Sequence, residues 1–177
     1  LLSACAGDET PTLPHTFSIS AHTENTLMMR VTVTTEENTN VVIQFTSDSV
    51  DPHQTPSSKS GTEHEFIVVG LRAQTDYQFT AIITDNNQLV TTSEPQSLTT
   101  GTLPDDAPTI ELLTHTNNSA GGITFFAEAD PDLLSRFYGI DEDGFIVWYL
   151  HDNDIPMSAS PVIRLLDDGR LMLLLNR

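Results

Sequence analysis

Cysteine and basic side chains are scarce in this chain of 177 residues. It has 1 Cys, which excludes an internal disulfide and any cysteine-based metal cluster. It has 7 Lys+Arg against 25 Asp+Glu, for a formal net charge of −18 at pH 7. Because such an acidic surface repels both nucleic acid and anionic membrane, neither is expected as a partner.

Long apolar runs and helical spacing are also missing. No stretch approaches the roughly 20 apolar residues that a transmembrane helix needs. Short segments instead alternate apolar and polar residues, which is the period of a strand with one buried face. The sequence therefore predicts an all-β protein, with room for one large domain or two small ones.

The single cysteine stands near the start of the sequence. Residues 2–5, LSAC, match the lipobox of bacterial lipoproteins, in which the thiol of the cysteine carries diacylglycerol. A polar, proline-containing stretch follows at 7–14, so residues 1–14 are interpreted as lipobox and tether, with Cys5 as the lipidation site. An ordinary small-residue stretch is the alternative. A complete precursor would have basic and longer apolar segments upstream, so residue 1 is not expected to be the native start.

Residues 15–100 predict a β-sandwich. About seven short alternating segments are separated by turn-rich stretches at 36–40, 47–61 and 85–87, a spacing typical of this architecture. Residues 71–77, LRAQTDY, resemble the L-x-P-x-T-x-Y entry to strand F of fibronectin type III domains, where the Tyr hydroxyl bonds back to the upstream backbone. Ala73 replaces the preferred proline, so the resemblance is to the type of domain. A plain core aromatic is the alternative for Tyr77.

A strand–turn–strand unit occurs twice in residues 109–177, which follow a linker at 101–108. The turns are DEDG at 141–144 and DDG at 167–169, each between apolar segments. Asp-Gly between such segments predicts a hairpin, and repeated hairpins favour a propeller or a barrel. A short entry strand is predicted at 109–113. Trp148 is predicted to lie buried between strands, with Phe145 or Val147 on neighbouring faces.

No residue is assigned a catalytic, cofactor-binding or metal-binding role. The histidines at 15, 22, 53 and 64 are scattered, and His64 between two glutamates is interpreted as part of a solvated strand. Asp141, Asp143 and Gly144 could suggest a calcium loop, but the later carboxylates of an EF-hand are missing, so turn chemistry is preferred. The sequon at 117–119 is discounted in a bacterial lipoprotein.

The order of these elements resembles the bacterial arylsulfate sulfotransferases. The residues that carry the resemblance are 139–149, GIDEDGFIVWY, and 163–173, IRLLDDGRLML, preceded by 122–126. The family implies a six-bladed propeller that moves a sulfuryl group from a phenolic sulfate donor to a phenol acceptor through a sulfated histidine, without a cofactor or nucleotide. Neither His115 nor His151 matches its catalytic motifs, which would lie beyond residue 177.

The resulting prediction is a fibronectin type III-like β-sandwich followed by the first, incomplete blades of a β-propeller. It would be anchored in the bacterial cell envelope, at the periplasm or outer membrane, through lipid alone. Because a closed propeller needs at least four blades, the 177 residues are expected to be inactive by themselves. The alternative is a non-catalytic envelope lipoprotein that binds glycan or protein, for which exposed aromatic platforms would be evidence. A third possibility is a structural spacer.

Overall fold

The computed structural model describes residues 12–114, 122–127, 134–156, 162–165 and 171–174. In these segments every regular element is a strand, and none is a helix of the length and apolarity needed to cross a membrane. The strands are β1 His15–Ala21, β2 Met29–Ser47, β3 Val50–Gln54, β4 Gly61–Val68, β5 Asp76–Asp85, β6 Val90–Thr92, β7 Gln96–Thr99, β8 Thr124–Ala127, β9 Leu134–Ile140, β10 Ile146–Pro156, β11 Val162–Leu165 and β12 Leu171–Leu174. The all-β prediction is confirmed.

Strands β1 to β7 belong to one hydrogen-bonded network. β2 lies between β1 and β5, β3 and β4 also pair with β2, and β6 and β7 pair with β5. By contacts the chain divides into two compact units. The first holds residues 1–19, 31–66 and 77–98, and the second holds 20–30, 67–76 and 99–177. Two segments of the predicted sandwich thus group with the hairpin region.

The core of the first unit comes from the alternation in β2 and β5. Val41 faces Ile83, and Phe45 faces Phe79, which stacks on it at 6.1 Å between ring centroids. Tyr77 is fully buried against both aromatic rings. Its role as a core aromatic is therefore established, and the backbone hydrogen bond of a tyrosine corner stays a prediction.

The turn predicted at 36–40 is wrong, because β2 runs through it without interruption. Thr35 and Thr39 lie on the inward face of β2 and are buried although they are polar. The Thr35 hydroxyl donates to the Glu37 carbonyl at 2.7 Å and lies 3.2 Å from the Thr39 hydroxyl. Since these groups satisfy one another, the strand can pass polar residues through the interior without turning.

The second unit contains two separate antiparallel sheets. In one, β9 lies between β8 and β10, with Phe126 opposite Tyr138 and Tyr138 opposite Tyr149. In the other, β11 pairs with β12 as a hairpin from Leu165↔Leu171 outward. Both predicted hairpins are present in the backbone, and the turn residues 167–169 lie outside the described residues.

Loop residues cover one face of the sheet β8–β9–β10. Leu27, Tyr138 and Ile146 are buried at the centre of this cluster, and the partly buried residues around them are Ala73, Leu103, Ala107, Ile110, Phe126, Ile140 and Tyr149. The entry strand predicted at 109–113 is absent, since these residues pair with no strand. Ile110 packs into the cluster as a loop residue, while Leu113 is 84% exposed.

Trp148 is only half-buried, so its predicted full burial is wrong. The register of β9 and β10 shifts between Ile146 and Trp148, as at a bulge. Ile146 and Val147 are in consequence both buried, and the predicted neighbour Phe145 is 51% exposed. Trp148 meets the edge of Phe125 instead, at 5.6 Å between ring centroids.

Gly139 lies between these two aromatic residues in the register, opposite Phe125 on one strand and Trp148 on the other. A Cβ at position 139 would stand 2.8 Å from Cγ2 of Ile123 and 2.9 Å from Cε1 of Phe125. The missing side chain therefore leaves the space that the ring of Phe125 occupies.

Candidate functional site

Arg72, in the loop after β4, is a charged residue of the second unit with three side-chain partners. Its Nε donates to Oδ2 of Asp141 at 2.7 Å, and its Nη2 donates to Oδ2 of Asp143 at 2.5 Å. The guanidinium carbon also lies 4.1 Å from the centre of the Phe145 ring. One side chain thus makes charge-assisted hydrogen bonds to two carboxylates and a cation–π contact.

Asp141 organises the turn that Arg72 binds. Its Oδ1 accepts from the backbone N–H groups of Asp143 at 3.1 Å and Phe145 at 2.9 Å, which leaves Oδ2 for the guanidinium. Gly144 has φ +83°, in the left-handed region that favours glycine, and donates to the Asp141 carbonyl. The DEDG segment therefore forms the turn that the sequence predicts.

The same contacts bear on the discounted calcium loop. The carboxylates of Asp141 and Asp143 are both engaged by a protein cation, and among the described residues there is no group of three or more potential metal ligands. Burial would lower the pKa of Arg72, but the hydrogen bonds and charges of Asp143 and Asp141 outweigh it and raise the pKa. The guanidinium stays charged, and turn chemistry remains the better interpretation.

A second polar cluster surrounds His151 on β10. Nε2 of His151 lies 3.0 Å from the hydroxyl of Tyr138, which is fully buried, and Nδ1 lies 3.9 Å from Asp106. Asp106 also forms an ion pair with Arg136, which stands opposite His151 in the register. His151 thus provides a hydrogen bond to the hydroxyl of a buried tyrosine. The carboxylate of Asp106 lies near both His151 and Arg136.

Tyr149 joins β10 to the segment 20–30. Its carbonyl accepts from the side-chain amide of Asn25 at 2.7 Å, and its hydroxyl lies 3.2 Å from both the backbone N and the hydroxyl of Thr26. Asn25 is buried and also accepts from the Leu27 backbone N–H at 2.9 Å. These bonds hold Leu27 beside the sheet.

His64 is buried, and its interpretation as part of a solvated strand is wrong. It is 4% exposed, because it takes an inward position on β4 while the two glutamates beside it face solvent. Nε2 donates to the Gly61 carbonyl at 3.0 Å and lies 3.1 Å from the Thr39 hydroxyl. Burial lowers the pKa of His64, and the Gly61 hydrogen bond opposes this more weakly.

The remaining candidates lie at half-buried, exposed or undescribed positions. His22 accepts from the Glu24 N–H, and His53 lies 5.7 Å from the Phe45 ring by centroids. Cys5 and His115 lie outside the described residues. Arg72 and Arg136 are bound to carboxylates, and His64 and His151 form hydrogen bonds within the fold. No sequence pattern connected Arg72 with a turn about seventy residues later.

Comparison with known proteins identifies the first part of the chain. Residues 14–101 match the model of the arylsulfotransferase Ig-like domain. These residues form an arylsulfotransferase Ig-like domain. The match agrees with the seven strands β1–β7, and it supports the resemblance that the hairpin residues carried. Searches of curated proteins and of solved structures returned no match.

The Ig-like domain contains Arg72 and so provides the cation of the cluster. Because Asp141 and Asp143 lie outside residues 14–101, the family match covers one partner of each ion pair. The acidic turn that Arg72 binds joins β9 to β10, which follow the domain in the chain.

Proposed function

We propose that this chain is the N-terminal part of an aryl-sulfate sulfotransferase of the bacterial cell envelope. The observation that carries the proposal is the arylsulfotransferase Ig-like domain at 14–101, with antiparallel hairpins after it. The donor would be a phenolic sulfate ester and the acceptor a phenol. No cofactor and no nucleic acid would take part, and the nucleophile would be a histidine beyond these 177 residues.

The chemistry proceeds in two displacements at sulfur. A neutral imidazole nitrogen attacks the sulfur of the donor, the nitrogen–sulfur bond forms and the sulfur–oxygen bond to the phenol breaks. The leaving phenolate takes up a proton. The acceptor phenol, losing its proton, then attacks the same sulfur and releases the histidine. Cationic and amide groups stabilise the sulfuryl oxygens during both steps.

The described residues have a supporting role in this proposal. Arg72 and Arg136 have carboxylate partners, and His151 hydrogen-bonds with Tyr138, so each of them holds the hairpin β9–β10 in place. We therefore assign the transfer step to none of them.

The test is transfer from 4-nitrophenyl sulfate to phenol, followed as nitrophenolate absorbance. The 177-residue chain should be inactive and the complete gene product active. A His151→Asn variant of the complete product should retain transfer if it is folded by circular dichroism. Activity in the 177-residue chain would place a nucleophile within it. Inactivity of the complete product across several phenolic donors and acceptors would overturn the proposal.

The envelope location is a separate part of the proposal. It is supported by the lipobox at 2–5, in which Cys5 would be acylated and the polar stretch at 7–14 would serve as tether. One acyl chain holds a protein at a membrane only marginally, whereas two chains anchor the protein stably. Mass spectrometry of the mature protein should show a diacylated Cys5 at its N-terminus. An unmodified Cys5, or an intact upstream peptide, would contradict lipid anchoring.

A further inference from the structure

A groove lined by polar and apolar residues lies in the first unit, between the residues around the start of β1 and the segment that leads from β6 to β7. It has a volume of about 470 Å³, within the range of about 300–1,000 Å³ usual for small-molecule sites. Its chemically distinctive lining residues are His15, Phe17, Thr92, Glu94 and Gln96. None of them belongs to the clusters around Arg72 and His151.

Two hydrogen bonds tie the walls of the groove together. The backbone N–H of Leu13 donates to the hydroxyl of Thr91 at 3.0 Å, and the side-chain amide of Gln96 donates to the carbonyl of Phe17 at 2.7 Å. Pro14 also lines the groove and has no N–H to offer to a strand ladder. These two hydrogen bonds hold the walls together but do not join them into a sheet. A ligand would therefore bind to a groove that is already formed.

Three side chains of the groove, His15, Glu94 and Gln96, provide hydrogen-bond acceptors. Nδ1 of His15 must donate to the Leu13 carbonyl, 2.8 Å away, because a carbonyl only accepts. In the neutral ring Nε2 is then an acceptor. Gln96 uses its NH₂ group on Phe17, so its Oε1 remains to accept, and the carboxylate of Glu94 is exposed. These three side chains together favour a ligand that presents several donors.

The charge of the groove disfavours the anionic sulfate ester donor as its ligand. Glu94 is anionic and the chain carries a net charge of −18, so a sulfate ester would be repelled. Hydroxyl groups on a neutral ring would satisfy the acceptors, and the half-buried ring of Phe17 would offer a flat apolar surface to the C–H face of such a ring.

We propose that this groove binds a sugar ring of a neutral glycan, with its hydroxyls donating to Glu94, Gln96 and His15 and its C–H face against Phe17. The site would give the Ig-like domain a binding function of its own, in addition to the proposed sulfuryl transfer and independent of it. In an envelope protein, such a site would hold the domain on a polysaccharide.

The test is a titration of the ¹⁵N-labelled 177-residue chain with maltose, cellobiose and N,N′-diacetylchitobiose. At least one disaccharide should produce saturable chemical-shift changes confined to residues 13–17 and 91–96. Phe17→Leu should weaken binding by about tenfold or more, equivalent to about 1.4 kcal/mol. The matched control is Val90→Ala, an exposed apolar truncation on β6 outside the groove, which should leave binding unchanged.

Glu94→Ala provides a second variant, since an exposed carboxylate can be removed with the fold intact. It should also weaken binding, whereas Glu94→Gln should weaken it less because the amide oxygen still accepts. The proposal is overturned if no disaccharide at about 10 mM produces a saturable change, since a site with a dissociation constant of about 1 mM would then be mostly filled. It is equally overturned if 4-nitrophenyl sulfate or cadaverine binds there in preference. Neither result depends on the sulfotransfer assay.

Discussion

Arg72 and Asp141 are joined by a hydrogen-bonded ion pair of 2.7 Å between residues 69 positions apart. Both side chains are largely shielded from water, with 13% and 19% of their surface exposed. Asp143, the second carboxylate on Arg72, is 46% exposed. Because salt screens a shielded pair less than an exposed one, the bond to Asp141 should contribute more to stability than the bond to Asp143.

Substitutions at Arg72 and Asp141 should therefore be strongly coupled. In a double-mutant cycle with Arg72→Met and Asp141→Asn, the coupling free energy of unfolding is expected to be about 1–3 kcal/mol. Arg72→Met keeps the apolar stem beside Phe145, and Asp141→Asn keeps an oxygen for the turn. Urea denaturation of the four proteins measures the coupling.

Asp143→Asn is the matched control for that cycle. Its coupling to Arg72→Met should be about 0–1 kcal/mol, as is usual for an exposed pair. Equal coupling free energies for the two aspartates would show that shielding from water does not make the ion pair with Asp141 stronger than the one with Asp143.

Gly139→Ala should destabilise the sheet β8–β9–β10. Its new Cβ would stand under 3.0 Å from Ile123 and from the ring of Phe125, so the packing must shift. Overpacking of this kind typically costs about 1–3 kcal/mol. Gly61→Ala is the control, because the nearest atom to its Cβ would be 3.8 Å away, and it should change stability little or raise it. Thermal unfolding of both variants tests the difference, and an equal loss would contradict the role of Gly139.

His64 should make the stability of the protein depend on pH. Its folded-state pKa lies below the ordinary value of 6.5, so the unfolded chain binds a proton more readily. The contribution of His64 is therefore fully present above about pH 6.5 and is lost as the pH falls through 6.5 towards the folded pKa. His64→Gln can still donate to the Gly61 carbonyl but does not titrate. It should therefore remove this part of the dependence of the unfolding free energy on pH.

Urea denaturation of both proteins between about pH 5 and 8 measures the effect. The two proteins differ at position 64 alone, so the difference between their dependences of stability on pH isolates His64. A stability difference between the two proteins that is constant over this range, or a stability of the His64 protein relative to the variant that falls as the pH rises, would mean that burial does not lower the pKa.

Trp148 offers a check on the packing of β10, because it is the only tryptophan of the chain. Half-burial predicts that acrylamide quenches its fluorescence less than that of N-acetyltryptophanamide and more than that of a buried tryptophan. Trp148→Ala should cost about 2–3 kcal/mol, below the roughly 3–5 kcal/mol of a fully buried aromatic residue. Complete protection from acrylamide would place the indole in the core after all.

Local patterns in the sequence predicted much of this structure. Alternation at 27–34, 41–45 and 77–83 predicted strands and their buried faces, and DEDG predicted a turn, because strand period and glycine conformation depend on nearest neighbours. The resemblance carried by residues 139–149 and 163–173 anticipated the family that the Ig-like domain then established. The absence of cysteine pairs and of helical spacing restricted the class to all-β.

Tertiary contacts decided what the alternation could not. His64 lies between two glutamates but on the same face of β4 as Val68, and folding places the hydroxyl of the buried Thr39 3.1 Å from its ring. Residues 109–113 alternate as a strand would, but in the part of the chain that the structure describes they pair with no strand. Arg72 acquires its function as a cation for Asp141 only when folding brings together segments 69 positions apart. Pairing between distant segments depends on the packing of the whole unit, and no local run of residues contains that information.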